Sequence, residues 1–347
     1  MSNQEVVTQE PQPIQLELTP LEWKSEPKTA ETNQQLATLI GTLSAKLLTW
    51  LGKTKSSHYS TFSIPKRDGS YRQIFNPDQI LRVAQYKLLH NVLEHIKVPD
   101  YIYAFEREKS IPKMALVHVN KKIVISVDIK DFFHSIKQSN VKSMMDELGF
   151  GEKAARTISE LCTYKFFVPQ GALTSPKISN LIAARTFGPV LKRYCDEKGF
   201  AITIYADDVT ISSDSPDVPV KEVLQFLTST ISGFGFRVNK AKTKVMSRKT
   251  RQYVCGVVVN EKTNLKKYER QRLRAIVHNV TKNGINAEAE RCQMSPDKFV
   301  SVIQGKLNWF SQLNAVQGAA LKEKFLDYVK SQNTISSEPS LESNVEA

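Results

Sequence analysis

The sequence predicts an α+β fold, and three observations carry that expectation. Strand-like and helix-like runs interleave along the 347 residues without the regular strand–helix–strand beat of a doubly wound sheet. The runs "AITIY" and "VTISS" alternate on either side of Ala206 to Asp208 and read as a tight antiparallel hairpin. "KKIVISVDIK", by contrast, is a continuous apolar run of the kind found in a buried strand.

The elements follow in order. Residues 1–34 are polar, with Pro11, Pro13, Pro20 and Pro27, and are expected to be disordered or to form an arm that orders on a partner. Residues 33–52 have helical periodicity. Residues 59–77 form a hairpin around the turn signal "RDGS", and Asn76 with Pro77 marks a helix start, Asn76 as cap. Behind it Leu81, Ala84, Leu88, Val92 and Ile96 recur at helical spacing. The strand run of 121–136 ends at Asp128 and turns into a helix. A loop over 167–174 leads to a helix capped by Ser175 with Pro176 at its first position. A helix over 219–234, a strand over 235–239 and another over 251–260 are expected, then a basic helical stretch from 262 to 330. Residues 331–347, serine-rich and acidic, are expected to be disordered.

Composition narrows the function classes. A hydrophobic content of 41% suits a globular core, and no apolar run approaches the roughly 20 residues a membrane helix needs. No secretory pattern opens the chain, so a cytoplasmic protein without a membrane partner is expected. Cys162, Cys195, Cys255 and Cys292 are scattered, which argues against a structural zinc site or a disulfide framework. The net charge of +13 points to a polyanionic partner, most commonly nucleic acid.

Asp207 and Asp208 stand side by side at the hairpin tip, and Asp128 ends another strand. Clustered like charges raise one another's proton affinity unless a cation lies between them. Oxygen-only donors suit magnesium, and two such ions can activate a hydroxyl and stabilise a departing pyrophosphate. A lone pair of aspartates at a turn is more often an ordinary turn; the accompanying motifs decide the matter.

"SVDIKDFFHSI", "VPQGALTSPKISN", "IYADDVTIS", "GFRVNKAKTKV" and "YVCGVVVN" succeed one another as the palm motifs of reverse transcriptases do. From about Ile64 to Phe310 the chain resembles that family, most of all the bacterial retron enzymes, which make a branched hybrid of RNA and single-stranded DNA (msDNA) from a structured RNA. The resemblance implies a right-hand polymerase fold: fingers and palm over 35–260, the palm's antiparallel sheet carrying the "YADD" hairpin, and a helical thumb over 261–330. It implies that Asp128, Asp207 and Asp208 bind two magnesium ions, Asp128 and Asp207 directly and Asp208 less so. Phe133 then lies under the incoming sugar and collides with a ribose 2′-hydroxyl, while Phe132 belongs to the core. Gln170 and Gly171 lie along the nucleotide, Lys66 and Arg72 grip its triphosphate, and Lys242 protonates or neutralises the pyrophosphate as it leaves.

Within the family, "SIPKMALVH" resembles a retron-specific segment, with Ala115 and His118 matching and Met114 in place of the usual asparagine; Cys255 replaces a threonine in "YVCGVVVN". His118 is a candidate RNA contact or, equally, a structural histidine. The basic helix over 266–284 offers Arg270, Arg272 and Arg274 for phosphates and Tyr268 for stacking. The implied partners are a cognate structured non-coding RNA and its hybrid product, deoxynucleoside triphosphates, a separate effector protein in antiphage defence, and host RNase H to trim the template. Rival readings are a bacterial reverse transcriptase or defence polymerase not tied to msDNA, and an RNA-binding scaffold without catalysis. A bulky Phe133 disfavours ribonucleotide polymerisation.

Overall fold

The computed structural model describes residues 16–41, 44–66 and 69–335. Helix α1 (Asn33–Ile40) is closed by a reciprocal box between Thr32 and Gln35 and ended by Gly41 at φ 66°. Ser44 caps α2 (Ala45–Thr54). The single helix expected over 33–52 is therefore two, because a left-handed glycine stops one and a serine starts the next. Strands β1 (Tyr59–Pro65) and β2 (Tyr71–Pro77) pair from Tyr59 opposite Pro77 to Pro65 opposite Tyr71. Two of the turn residues between them, 67 and 68, lie outside the described residues.

Asp78, not Asn76, caps α3 (Gln79–Asn91): its carboxylate accepts from the Leu81 amide, while Asn76 stays in β2 and accepts from Arg82. Leu81, Ala84, Leu88, Val92 and Ile96 are all buried, the last two beyond the helix end. Next come α4 (Ile111–Leu116), β3 (Ile123–Asp128), α5 (Phe132–Ser135), α6 (Gln138–Glu147) and α7 (Glu152–Leu161). Helix α8 (Ser175–Arg185) has Thr174 at its cap position, one residue before the expected Ser175, whose hydroxyl bonds the Pro169 carbonyl instead. Helix α9 (Phe187–Glu197), β4 (Ala201–Tyr205), β5 (Asp208–Ser213) and α10 (Val220–Gly233) follow.

The strand expected over 235–239 is reduced to one bridge between Val238 and Ile129; the pairing strand is β6 (Lys244–Ser247). The single strand expected over 251–260 is a small hairpin, β7 (Tyr253–Val254) and β8 (Val257–Val258), because Cys255 and Gly256 both take positive φ, 45° and 86°. Three helices complete the chain: α11 (Lys267–Arg291), broken at Gly284, α12 (Pro296–Leu313) and α13 (Ala315–Ile335).

Two compact units result. The first comprises residues up to 110, 125–213 and 217–245; the second comprises 111–124, 214–216 and 246 onward. The principal sheet has the order β4-β5-β3-β6. In the first unit, residues 16–32 are not loose: the Thr19 amide bonds the Arg185 carbonyl, Lys24 bonds His95, Lys97 bonds Glu22, and the Trp23 ring meets Phe150 at 6.2 Å. Apolar contacts and strand-edge hydrogen bonds outweigh the prolines there. Residues 1–15 lie outside the described residues, as do 336–347 of the expected tail; 331–335 belong to α13. The second unit has its own core of Ile276, Val277, Val280, Phe299, Ile303, Leu307 and Phe325. No helix among the described residues is long and apolar enough to cross a membrane.

Gly171 fixes the loop before α8 against β2. Its φ is 118°, and a Cβ there would stand 2.5 Å from the Phe75 carbonyl oxygen. The adjoining Gln170 carbonyl accepts from the Phe75 amide at 2.8 Å. Gly171→Ala must strain the backbone and break this seam, so it is expected to destabilise the fold by about 2–3 kcal/mol. Chemical denaturation of the two proteins at equal slope measures it.

Candidate active site

The hairpin of β4 and β5 pairs Tyr205 with Asp208, which leaves Ala206 and Asp207 as a two-residue loop. Ala206 sits at φ 54°, a conformation that costs a non-glycine residue about 1–2 kcal/mol. The Asp207 carbonyl accepts from the Ile129 amide at 2.7 Å, tying the loop to the end of β3. On the other side, the Asn239 amide donates to the Asp128 carbonyl at 2.7 Å and the Lys130 amide to the Arg237 carbonyl at 2.7 Å. Backbone hydrogen bonds thus bring three distant segments to one place before any side chain takes part.

Those segments line a cleft of about 780 Å³ in the first unit, within the usual range for a small-molecule site. Asp128 and Asp207 line it; Asp208 is not among its lining residues. Lys66, Arg72, Lys130, Lys137, Arg237 and Lys242 face Asp128, Asp131 and Asp207 there, a cationic excess suited to a polyphosphate. Phe132 and Phe133 both border the cleft; Phe133 is half-buried, whereas Phe132 is almost wholly buried and packs against Phe187 and Phe236. Gln170 also lines it, but Gly171 does not: the close approach Gly171 permits is to β2.

Burial raises the proton affinity of both hairpin carboxylates. Asp208 is pushed up to about 6, by burial first and then by Asp207 and Asp128, with Lys244 and Lys242 opposing. Asp207 is raised by burial and by Asp128, against a hydrogen bond from its own backbone amide and the charges of Lys242 and Arg72. Lys242 closes a short 3₁₀ turn, Lys240–Lys242, and its Nζ donates to Asp128 Oδ2 at 3.2 Å. Partial burial works against its charge, but the bond to Asp128 and the three carboxylates outweigh that and raise its pKa. Lys240, Lys242 and Lys244 alternate in "NKAKTK" and all three are exposed; Lys242 is the one bonded to Asp128, and the charge of Lys244 acts on Asp208.

A divalent cation fits this chemistry. Among the described residues no three His, Cys, Asp or Glu side chains converge to enclose an ion unaided. Magnesium, however, commonly takes one or two carboxylates and completes its shell with water and substrate phosphates. Asp128 and Asp207 could supply those two; Asp208, outside the cleft lining, would act by its charge.

Residues beyond those named from the sequence also line the cleft: Tyr71, Gln73, Lys130, Asp131, His134, Lys137, Arg237 and Asn239. Arg237 and Asn239 lie inside the motif "GFRVNKAKTKV", and that was the available signal. Lys130, Asp131 and His134 lie likewise inside "SVDIKDFFHSI"; the His134 ring is held by tilted contacts with Phe167 at 4.6 Å and Phe75 at 5.8 Å.

The expected RNA contacts divide. His118 is fully buried in the second unit and held well below its usual range, to about 3, by burial and by Lys121. A neutral, enclosed ring cannot reach an RNA, so His118 is a structural histidine. In α11, Leu273, Ile276, Val277 and Val280 face the core, which leaves Arg272 and Arg274 exposed and Tyr268 58% exposed. Arg270 is partly covered, its Nε buried without a hydrogen-bond partner.

Comparison with known proteins places the chain in a family. Residues 64–299 match the family model described as "Reverse transcriptase (RNA-dependent DNA polymerase)". The chain is 32% identical over 289 residues to the Retron Mx65 reverse transcriptase of Myxococcus xanthus, covering 77% of this chain and 64% of that one. To the Retron Ec86 reverse transcriptase of Escherichia coli it is 29% identical over 241 residues, 69% of this chain and 75% of that one. To the Retron Mx162 reverse transcriptase of Myxococcus xanthus it is 32% identical over 297 residues, 75% and 61% respectively. It therefore spans less than two thirds of the two Myxococcus relatives. A solved telomerase from Candida albicans, in complex with a telomeric RNA fragment, gives a TM-score of 0.45 at 12% identity over 81% of this chain and 64% of that one, a likeness too loose to decide anything. With a family model matched from the end of β1 through the β4–β5 hairpin to the start of α12, the chain belongs to the reverse transcriptase family and has its α+β, right-hand polymerase fold.

Proposed function

We propose that this protein is an RNA-directed DNA polymerase of the retron type, which copies a cognate structured non-coding RNA into a branched, RNA-linked single-stranded DNA. The observation that carries the proposal is the convergence of Asp128, Asp207 and Lys242 on one cationic cleft within a reverse transcriptase chain similar to several retron enzymes. The cleft's size and charge suit a deoxynucleoside triphosphate.

In this reading Lys66 and Arg72 hold the triphosphate, with Arg237 and Lys130 adding charge to the same cleft. Phe133 sets the floor beneath the sugar, and Gln170 flanks the nucleotide. Two magnesium ions, when bound through Asp128 and Asp207, supply the activation of the primer hydroxyl and the charge neutralisation of the leaving pyrophosphate. Asp208 reinforces the negative field without lining the cleft. Lys242 stays protonated against the carboxylates and is placed to meet the pyrophosphate as a proton donor or counter-charge. Exposed Arg272, Arg274 and Tyr268 on α11 grip the RNA through phosphate contacts and stacking, with Arg270 beside them. The product joins a defence against phage that needs a separate effector, and host RNase H removes the copied template.

Nucleic-acid extraction from cells carrying the native locus tests the proposal. A small single-stranded DNA whose size shifts on RNase treatment is expected with the parent protein and not with Asp207→Asn. Absence of such a species, alongside magnesium-dependent primer extension by the purified protein, would keep the polymerase and remove the retron assignment.

A further inference from the structure

A second, smaller pocket lies wholly in the second unit, apart from the polymerase cleft. Its volume is about 220 Å³, below the roughly 300 Å³ at which ordinary cofactor and drug-sized sites begin. That size excludes a whole nucleotide cofactor and leaves room for one planar ring. Phe299 and Ile303, both buried, form its floor with Met294, whose sulfur packs well against aromatic rings.

The rim is cationic. Arg272 from α11 and Lys306 from α12 are both exposed, and neither has an ion-pair partner among the described residues. Arg291 stands beside them, its charge already met by Glu288 through bonds of 2.7 to 3.1 Å. Gln293, on the turn that closes the pocket, takes φ 54°, a strained backbone for a side chain of its kind. Its amide carries both a donor and an acceptor, the pair that reads a base edge.

We infer that this pocket takes a single unpaired base of the bound RNA. The apolar floor receives the ring, the Gln293 amide meets its edge, and Arg272 and Lys306 hold the flanking phosphates. Structured RNA is read mainly through bases that loops and bulges splay out, and such a base has a ring and a phosphate on either side of it. An aromatic side chain of a protein partner has the ring without the phosphates, and would leave two exposed cations with nothing to meet. The inference rests on the reading of the chain as an RNA-binding reverse transcriptase and adds to it a specific subsite.

The test uses the full chain and two RNA hairpins that differ only in one bulged adenine, replaced by 2-aminopurine as a fluorescent reporter. The parent protein is expected to bind the bulged hairpin about tenfold more tightly than the paired one, with a change in reporter emission. Val302→Trp, which fills the pocket, should bring that preference close to one. Lys306→Gln, a surface change that keeps the fold, should weaken bulged-RNA binding several-fold and lower its salt slope by about one. Equal affinity for the two hairpins, or a preference unchanged in both variants, overturns the inference and leaves the pocket to a protein side chain. If the parent extends a primer but ignores the bulge, the subsite falls and the polymerase stands; the reverse pattern keeps the subsite and removes the polymerase.

Discussion

Asp207→Asn is expected to lower the rate of deoxynucleotide addition by on the order of 10³-fold or more while leaving the chain at least as stable as the parent. The two halves of this result have one cause. Burial raises the proton affinity of both Asp207 and Asp208 above the ordinary value; Asp128 adds to the rise at Asp207, and Asp207 and Asp128 add to it at Asp208. For Asp208 the rise is from 3.8 to about 6, so between those values the folded state binds more protons than the unfolded state. Stability therefore falls as pH rises through that window, and above it the ionised group costs the metal-free fold on the order of 1–3 kcal/mol. Asp208→Asn removes that cost, so it should raise the metal-free melting temperature at neutral pH by a few degrees and flatten its pH dependence between about 4 and 6. Magnesium should raise the parent's melting temperature and that of Asp207→Asn much less. Melting curves from pH 4 to 8, with and without magnesium, read all of these shifts. A fall in stability on removing either charge would mean that the carboxylates are paired and not in conflict.

Phe133→Val is expected to relax exclusion of ribonucleotides by on the order of 10²-fold, with little change in use of deoxynucleotides. Phe133 is half-buried on the cleft wall, where its ring can stand against a ribose 2′-hydroxyl; the neighbouring Phe132 is 2% exposed and belongs to the core. Phe132→Val should instead cost stability, because it opens a cavity against Phe187 and Phe236. Single-turnover incorporation of paired ribo- and deoxynucleotides separates the two residues. A sugar preference that persists in Phe133→Val assigns the exclusion elsewhere in the cleft.

How much of this was legible in the sequence depended on how locally each feature is determined. Asp128 and the Asp207–Asp208 pair are set by strand ends and a two-residue hairpin, signals carried by a few adjacent residues, and they fall where the pattern places them. Of the two adjacent phenylalanines on one short helix turn, Phe132 is the buried one and Phe133 the more exposed, a difference in packing that the dipeptide alone does not encode. Helix starts were legible only to within a residue or two: Asp78 outcompetes Asn76 because its carboxylate reaches the Leu81 amide. The hairpin at Cys255 was hidden because a non-glycine residue adopts positive φ there.

Features made by tertiary approach were not legible. Gly171 reads as a turn glycine, and its strict requirement comes from the Phe75 carbonyl, nearly a hundred positions away in the chain. His118 is a candidate contact through the family resemblance of "SIPKMALVH" and equally a structural histidine, and only packing shows it enclosed. His134 lies within a motif, but its place on the cleft wall is set by two aromatic neighbours distant in the chain, Phe75 and Phe167. The N-terminal segment has the composition of a loose arm, yet Thr19, Glu22 and Lys24 find backbone partners that composition does not encode.

The most direct test of the account is primer extension by the purified chain on an RNA template, with deoxynucleoside triphosphates and magnesium as the only additions. The account predicts stepwise DNA synthesis that stops on chelation, resumes with magnesium, and is lost in Asp207→Asn although that variant folds and binds the primer–template. A parent protein that binds the primer–template with magnesium present and adds no nucleotide would contradict it, and would leave a folded reverse transcriptase chain that serves its RNA as a scaffold.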